Sequence, residues 1–188
     1  MGTIKQVKEK YEKAYNAVPD TLYNTVARTK GVILALNRDQ MLYGRDADGK
    51  PLRPVYLQDP YFEELAEYLS QTVLRYHNKK PDPKKLAQNY RKKKIGLEQK
   101  HNSFRRFAWM QLFPEKDSET PNLIVTGPFQ GKMFIQVSHD SYTLGSSYAE
   151  ASDISAKYHG RVFGLALRSK EFYYYNWIRP ALELLYRG

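Results

Sequence analysis

Two runs hold the side chains best suited to chemistry with a partner: Tyr90-Arg91-Lys92-Lys93-Lys94 and Phe104-Arg105-Arg106-Phe107-Ala108-Trp109. Lysine and arginine neutralise phosphates or carboxylates, and aromatic rings between them can stack on bases. The same rings can instead pack a helix onto the body, and that role is favoured for Phe104, Phe107 and Trp109, because no base-reading motif accompanies them. Lys84, Lys85, Arg91, Lys92, Lys93, Lys94, Arg105 and Arg106 are therefore the candidate contacts to DNA or to an acidic protein partner. Between Arg75 and Arg106 stand twelve Lys/Arg and two acids, while the remainder of the chain holds 18 of each sign. The whole net charge of +10 thus sits in one window on a neutral body, which points to a dedicated contact with something negative or to a solvated Lys-rich helix face.

Other chemistry finds little footing. Gly127-Pro128-Phe129-Gln130-Gly131-Lys132-Met133 resembles a phosphate loop, but only three residues separate the glycines where four are needed. Met133 also stands where a hydroxyl should reach magnesium. Asp46-Ala47-Asp48-Gly49 resembles the middle of a calcium loop, yet Gly44 and Val55 would occupy the first and last ligand positions, so both key carboxylates are missing. His77, His101, His139 and His159 have no helical partner at ligand spacing, and no G-x-S-x-G elbow occurs. The chain has no cysteine, which excludes thiol catalysis, disulfides and thiolate metal sites. No cofactor, metal site or catalytic group is expected, and the protein is expected not to be an enzyme. No apolar stretch approaches the roughly 20 residues that span a bilayer, and the charged start lacks a signal-peptide core. The expectation is a soluble, cytosol-made protein with no membrane partner.

The elements that would position these residues read as follows. Ile4, Val7, Tyr11, Ala14 and Val18 recur at helical spacing, with Pro19 as a stop and Asp20 as a cap for a short second helix through Leu22 and Val26. After Gly31 the apolar run Val32-Ile33-Leu34-Ala35-Leu36 reads as a buried strand, with a helix continuing through Gly31 as the alternative. Asp46 to Leu52 is a turn. Phe62, Leu65, Ala66, Leu69, Val73 and Tyr76 form one helical stripe, ended by Pro81 and Pro83. Residues 84–106 read as a basic helix or helix pair interrupted near Gly96. Met133, Ile135 and Val137 alternate with polar or outward positions, and Tyr142 and Leu144 continue the pattern after His139-Asp140-Ser141, which predicts a hairpin. Tyr148 to Tyr158 fits a short helix with Gly160 just beyond its end. Glu171 to Arg187 is a closing helix kinked or restarted at Pro180. On it Tyr174, Ile178, Leu182 and Leu185 should face a core or a subunit interface.

The predicted fold is α+β: helices on a small antiparallel sheet made of the C-terminal hairpin plus the N-terminal strand, with a basic helical insertion. The 188 residues suit a single domain. Its α+β body would span 1–76 and 120–188, and the insertion 77–119. Sixteen tyrosines suit partly wet interfaces.

A resemblance lies in the order of several motifs. Ile33-Leu34-Ala35-Leu36-Asn37 is followed by Gln40, Leu42-Tyr43-Gly44, Asp46, Gly49-Lys50, Leu52 and Pro54, then by an aromatic-rich helix. Later come Val125-Thr126-Gly127-Pro128-Phe129, the hairpin, Ala156-Lys157-Tyr158-His159-Gly160, Val162-Phe163-Gly164-Leu165 and the final helix with Pro180. This arrangement resembles the small neck and minor tail proteins of tailed phages, especially those of Bacteroidetes, including crAss-like phages. Those proteins pair an N-x-x-Q-L-Y-x-G-x-D-x-x-G strand-turn with a later T-G-D/x-F and an F-G-L before a closing helix. Pro128 stands where that family usually has an acid. The resemblance implies a virion structural protein at the head–tail junction or in the tail, without catalysis. It implies a homo-oligomeric ring, partnered by the portal and other neck or tail proteins, with packaged DNA as a further contact. A standalone basic nucleic-acid-binding protein is the alternative.

Overall fold

Thr3 opens the first helix, α1 (Ile4–Asn16), with a reciprocal cap: its hydroxyl accepts from the Gln6 amide at 3.3 Å and its own amide donates to Gln6 Oε1 at 2.8 Å. The computed structural model describes residues 3–77, 81–101, 111–117, 119–123 and 128–187. After Ala17 the chain turns into α2 (Val18–Leu42), 25 residues long, with Pro19 in its first turn, where the missing amide hydrogen costs nothing. Thr21, Thr25 and Thr29 each donate a hydroxyl to the carbonyl four residues back. Such back-bonding bends helices, and Thr29 leaves helical geometry at φ −107°, ψ 15°.

The expected N-terminal strand is not there: Val32 to Leu36 belong to α2, the alternative reading through Gly31. The run is apolar all round because the helix is enclosed on several sides. Ile33 and Leu36 are fully buried against Leu144, Leu165 and Tyr173, while Leu34 and Ala35 pack on the same cluster. A helix covered on several faces loses the periodicity that would distinguish it from a buried strand. A Cβ on Gly31 would meet nothing within 4 Å, so glycine there is tolerated rather than required.

The rest is mostly helical. A 3₁₀ turn (Tyr56–Gln58) leads to α3 (Tyr61–His77), and α4 (Pro83–His101) returns alongside it. Contrary to expectation α4 is continuous through Gly96, where a Cβ would find open space. A short α5 (Pro128–Gly131) precedes the hairpin of β1 (Met133–Val137) and β2 (Tyr142–Ser146), paired antiparallel with Ile135 opposite Leu144. This hairpin is the only sheet among the described residues, and the architecture is α+β. Met133 and Leu144 point inward as the alternation predicts, and the Phe134 ring lies over Gly145, where a Cβ would come within 2.7 Å of it. At the hairpin tip, exposed His139 lies 3.0 Å from Asp140 and 3.4 Å from Asp20. Hydrogen bonding to these carboxylates, first Asp140, raises its pKa.

Then follow α6 (Ala151–Lys157), α7 (Leu167–Tyr173), a π-helical turn (Tyr174–Ile178) and α8 (Arg179–Arg187). Pro180 sits just after the π turn, which accommodates its missing donor without ending the helix. That turn shifts the register, so Tyr173 is buried and stacked on Trp177, while Tyr174 is 45 % exposed. Tyr174 is thus not a core residue of the single chain, contrary to one of its two expected roles. Ile178, Leu182 and Leu185 are half-buried.

The interior is organised by two amides on one face of α2. Asn37 donates from Nδ2 to the carbonyls of Val162 and Gly164 at 3.2 and 2.8 Å. Gln40 is fully buried; its Nε2 donates to the Asp46 and Gly164 carbonyls at 2.7 and 3.2 Å, and its Oε1 accepts from the Ala166 amide at 2.7 Å. Gly164 adopts φ +130°, and a Cβ there would press on Ala47. Asp46 closes the predicted turn by accepting from the Asp48 and Lys50 amides at 3.0 and 2.8 Å. Replacing Gln40 with Leu strips partners from several buried backbone groups at once. The expected loss is about 3–5 kcal/mol, read by chemical denaturation.

Asp39, one residue before Gln40, is 5 % exposed, and its Oδ2 has no hydrogen-bond partner among the described residues. Burial pushes its carboxyl up to about 6 from 3.8. The unfolded chain therefore ionises at lower pH than the fold does, and stability falls as pH rises from about 4 to about 6. The full penalty is about 3 kcal/mol above that range. Asp39→Asn should abolish this slope, melting higher than the parent at pH 7 and alike at pH 3.5.

Candidate functional site

Lysine density hides a packing face on α4. Asp82 accepts from the Lys84 amide at 3.0 Å and starts the helix. Ala87 is buried in a cluster with Tyr56, Phe62 and Ala66, joined by Leu86, Tyr90 and Ile95. Fully buried Ser70 on α3 donates to the Pro81 carbonyl at 2.8 Å, tying the two helices at their connection.

The candidate contacts divide accordingly. Lys84, Lys85, Lys92 and Lys93 are exposed. Arg91 is not: its side chain is 15 % exposed, it donates from Nε to the Tyr56 carbonyl at 3.1 Å, it pairs with Glu63, and its guanidinium covers the Phe62 ring at 5.7 Å. Arg91 is a strut between α4, α3 and the 3₁₀ turn rather than a surface cation. Lys94 is half-buried, with its ammonium 5.9 Å from the centre of the Tyr56 ring. Arg105 and Arg106, with Phe104, Phe107 and Trp109, lie outside the described residues, as do Val125, Thr126 and Gly127. The charge pattern alone could not separate Arg91 from its neighbours. The signal lay in Leu86, Ala87, Tyr90 and Ile95, which recur at helical spacing beneath the lysines.

Between the α3–α4 pair and α6 lies a groove of about 750 Å³. Phe62, Leu65, Phe129 and Ile154 line it, Lys93 stands on its α4 rim, and Glu150 and Asp153 stand on its α6 rim. Its lining also includes an ion pair. Asp59, 2 % exposed, accepts from the Tyr61 amide at 3.1 Å and pairs with Lys157, whose ammonium also lies 5.4 Å from the Tyr61 ring centre. A smaller cavity of about 320 Å³ is lined by Lys50, Arg53, His159 and Arg161 with Asp46. These basic groups lie far along the chain from the predicted window, and Arg161 is 3.7 Å from Asp48. Among the described residues no three His, Asp or Glu side chains gather where a metal could be held, and no helix is long and apolar enough to cross a membrane.

The chain matches no protein-family model, no curated protein and no solved structure.

The division of α4 into strut and surface is open to measurement. Arg91→Ala should cost about 1–3 kcal/mol, since it removes a buried hydrogen bond and an ion pair together. The quadruple Ser variant at Lys84, Lys85, Lys92 and Lys93 should stay within about 0.5 kcal/mol per site. If those lysines grip duplex DNA, the variant should flatten the log–log salt slope of binding by up to roughly 3–4 units. Weak parent DNA binding combined with blocked assembly of the variant would assign the face to a protein partner.

Proposed function

We propose that the chain is a non-enzymatic, ring-forming structural subunit of a tailed-phage particle, placed in the head–tail connector, neck or tail. The observation that carries this reading is that the separate motifs of the resemblance meet in space. Asn37-x-x-Gln40, the turn from Gly44 to Leu52 and Val162-Phe163-Gly164-Leu165 are joined by the amide bonds of α2 and by the Ala47 amide donating to the Arg161 carbonyl at 2.7 Å. Motifs that interlock in this way behave as one structural unit. In this chain the first of them is a helix-turn, not the strand-turn of the resemblance.

Surface character supports the same reading. Tyr11, Tyr15, Tyr68, Tyr174 and Tyr175 are all exposed, and tyrosine is enriched where subunits meet. The body supplies neighbours' contacts, and the outward lysines of α4 meet the portal, an adjoining ring or packaged DNA. Those four exposed lysines on one helix are also what favours the alternative, a standalone nucleic-acid-binding protein.

Native mass measurement of the purified protein, alone and with a portal, tests the proposal. The expected result is a closed homo-oligomer, formed freely or on the portal. A strict monomer at high concentration that is also absent from particles overturns it.

A further inference from the structure

We propose that the cavity between the turn at 46–52 and the end of α6 binds a phosphate with at least three free oxygens, as the ion or at the end of an ester, through Lys50, Arg53, His159 and Arg161. The site does not depend on the ring reading above. Two segments more than a hundred residues apart in the chain bring these four side chains to one cavity of about 320 Å³. Their backbones are fixed to each other. The Ala47 amide donates to the Arg161 carbonyl at 2.7 Å, the Leu52 amide donates to the Gly44 carbonyl at 2.7 Å, and Arg45 bridges Pro51. Leu52 and Tyr158, which also line the cavity, are buried. The backbone that carries the cations is thus set before any ligand arrives, which lowers the cost of ordering on binding.

The positive charges here are not neutralised within the chain. Asp46 is committed to its own turn, accepting from the Asp48 and Lys50 amides. Asp48 meets Arg161 at 3.7 Å with both side chains 53 % exposed, a pairing worth little in water. The side chains of Lys50, Arg53 and His159 make no hydrogen bond or ion pair to another described residue. Three permanent cations against two acids leave an excess of positive charge.

His159 supplies a second, independent observation. It follows α6 in the left-handed conformation at φ +55°, and Gly160 comes next at φ +72°. That backbone is costly for most side chains, and glycine is the usual residue just past a helix end. The His159 amide already donates to the Ala156 carbonyl at 3.0 Å, so the imidazole is not what completes the cap. A side chain is kept where glycine would serve the fold as well, and it lines a cavity with three cations. Strain of this kind collects at ligand sites. The donors select the ligand: two guanidinium forks, an ammonium and an imidazole N–H outnumber the two oxygens of a carboxylate or the two free oxygens of a phosphodiester, whereas a terminal phosphate offers three. The volume lies at the small end of ligand sites, which suits a phosphate and the first atoms of its ester.

Inorganic phosphate, methyl phosphate, dimethyl phosphate and acetate are titrated at constant ionic strength. The His159 imidazole is followed by NMR, its signal assigned by its loss in His159→Gly, and melting temperature is recorded in parallel. Saturable shifts and a rise in melting temperature are expected with inorganic phosphate or with both it and methyl phosphate, and binding at least about tenfold weaker with the other two anions. A matching response to methyl phosphate means that the mouth admits an ester, and so a phosphate at the end of a larger molecule; a response to inorganic phosphate alone assigns the site to the free ion. Lys50→Ala and Arg53→Ala, both at exposed positions, should each weaken phosphate binding about tenfold and leave melting without phosphate unchanged. His159→Gly should melt no lower than the parent without phosphate, since glycine accepts the left-handed backbone, and should gain less from phosphate. Absence of saturable binding, an equal response to all four anions, or a parent-like response in the Lys50→Ala and Arg53→Ala variants overturns the site.

Discussion

Asn37 and Gln40 project carboxamides from one face of a helix into the backbone of a segment more than a hundred residues away, and much of the fold follows from satisfying them. Burying an amide is costly unless it is partnered; Gln40 is bonded through both ends of its carboxamide and Asn37 through its Nδ2. The partners here are carbonyls and an amide that no helix or strand can spare, so the chain from Val162 to Ala166 has to be irregular. That irregularity is what calls for Gly164 at φ +130°, pressed against Ala47. The same pair brings the turn at Asp46 and the start of α7 to one place, and Ile33, Leu36, Met41 and Val162 keep water away from it. Gly44 at φ +63° completes the unit, because a side chain there would strike Thr120 and the Pro121 carbonyl.

The basic helix works on two sides at once. Its inner side belongs to the core through Ala87, Tyr90 and the Arg91 strut, and only its outer side is available to a partner. Holding Arg91 against Glu63 and the Tyr56 carbonyl fixes the direction in which Lys92 and Lys93 point. The rims of the neighbouring groove then acquire opposite signs because α4 supplies one and α6 the other. A basic window in the sequence thus becomes a polarised surface in the fold.

Much of this was legible in the residues. The stripe from Phe62 to Val73, the hairpin alternation, the Asp46 turn and the stop at Pro81 each carry a local physical signature, and each appears where expected. Three features were not legible, for separate reasons. Val32 to Leu36 look alike as a strand or as an enclosed helix, since both bury every side. Asn37 and Gln40 look like surface residues until their distant backbone partners are known. Tyr173 and Tyr174 exchange roles because one π turn ahead of Pro180 rotates everything that precedes it. Of the candidate contacts, charge alone placed Lys84, Lys85, Lys92 and Lys93 at the surface but could not see that Arg91 is turned inward.

The bend in α2 gives the molecule a lever. Thr29 spends its one proton on the Thr25 carbonyl at 2.6 Å, so the Tyr173 hydroxyl, 2.5 Å away, is the donor between them. The arm from Val18 to Thr29 extends about 17 Å beyond that point and carries α1 at its tip. A change of about 10° at the bend would swing the tip by roughly 3 Å. The Tyr173 hydroxyl, reaching over from α7, thus holds the bend from which this arm departs, while α8 packs against both α2 and α1.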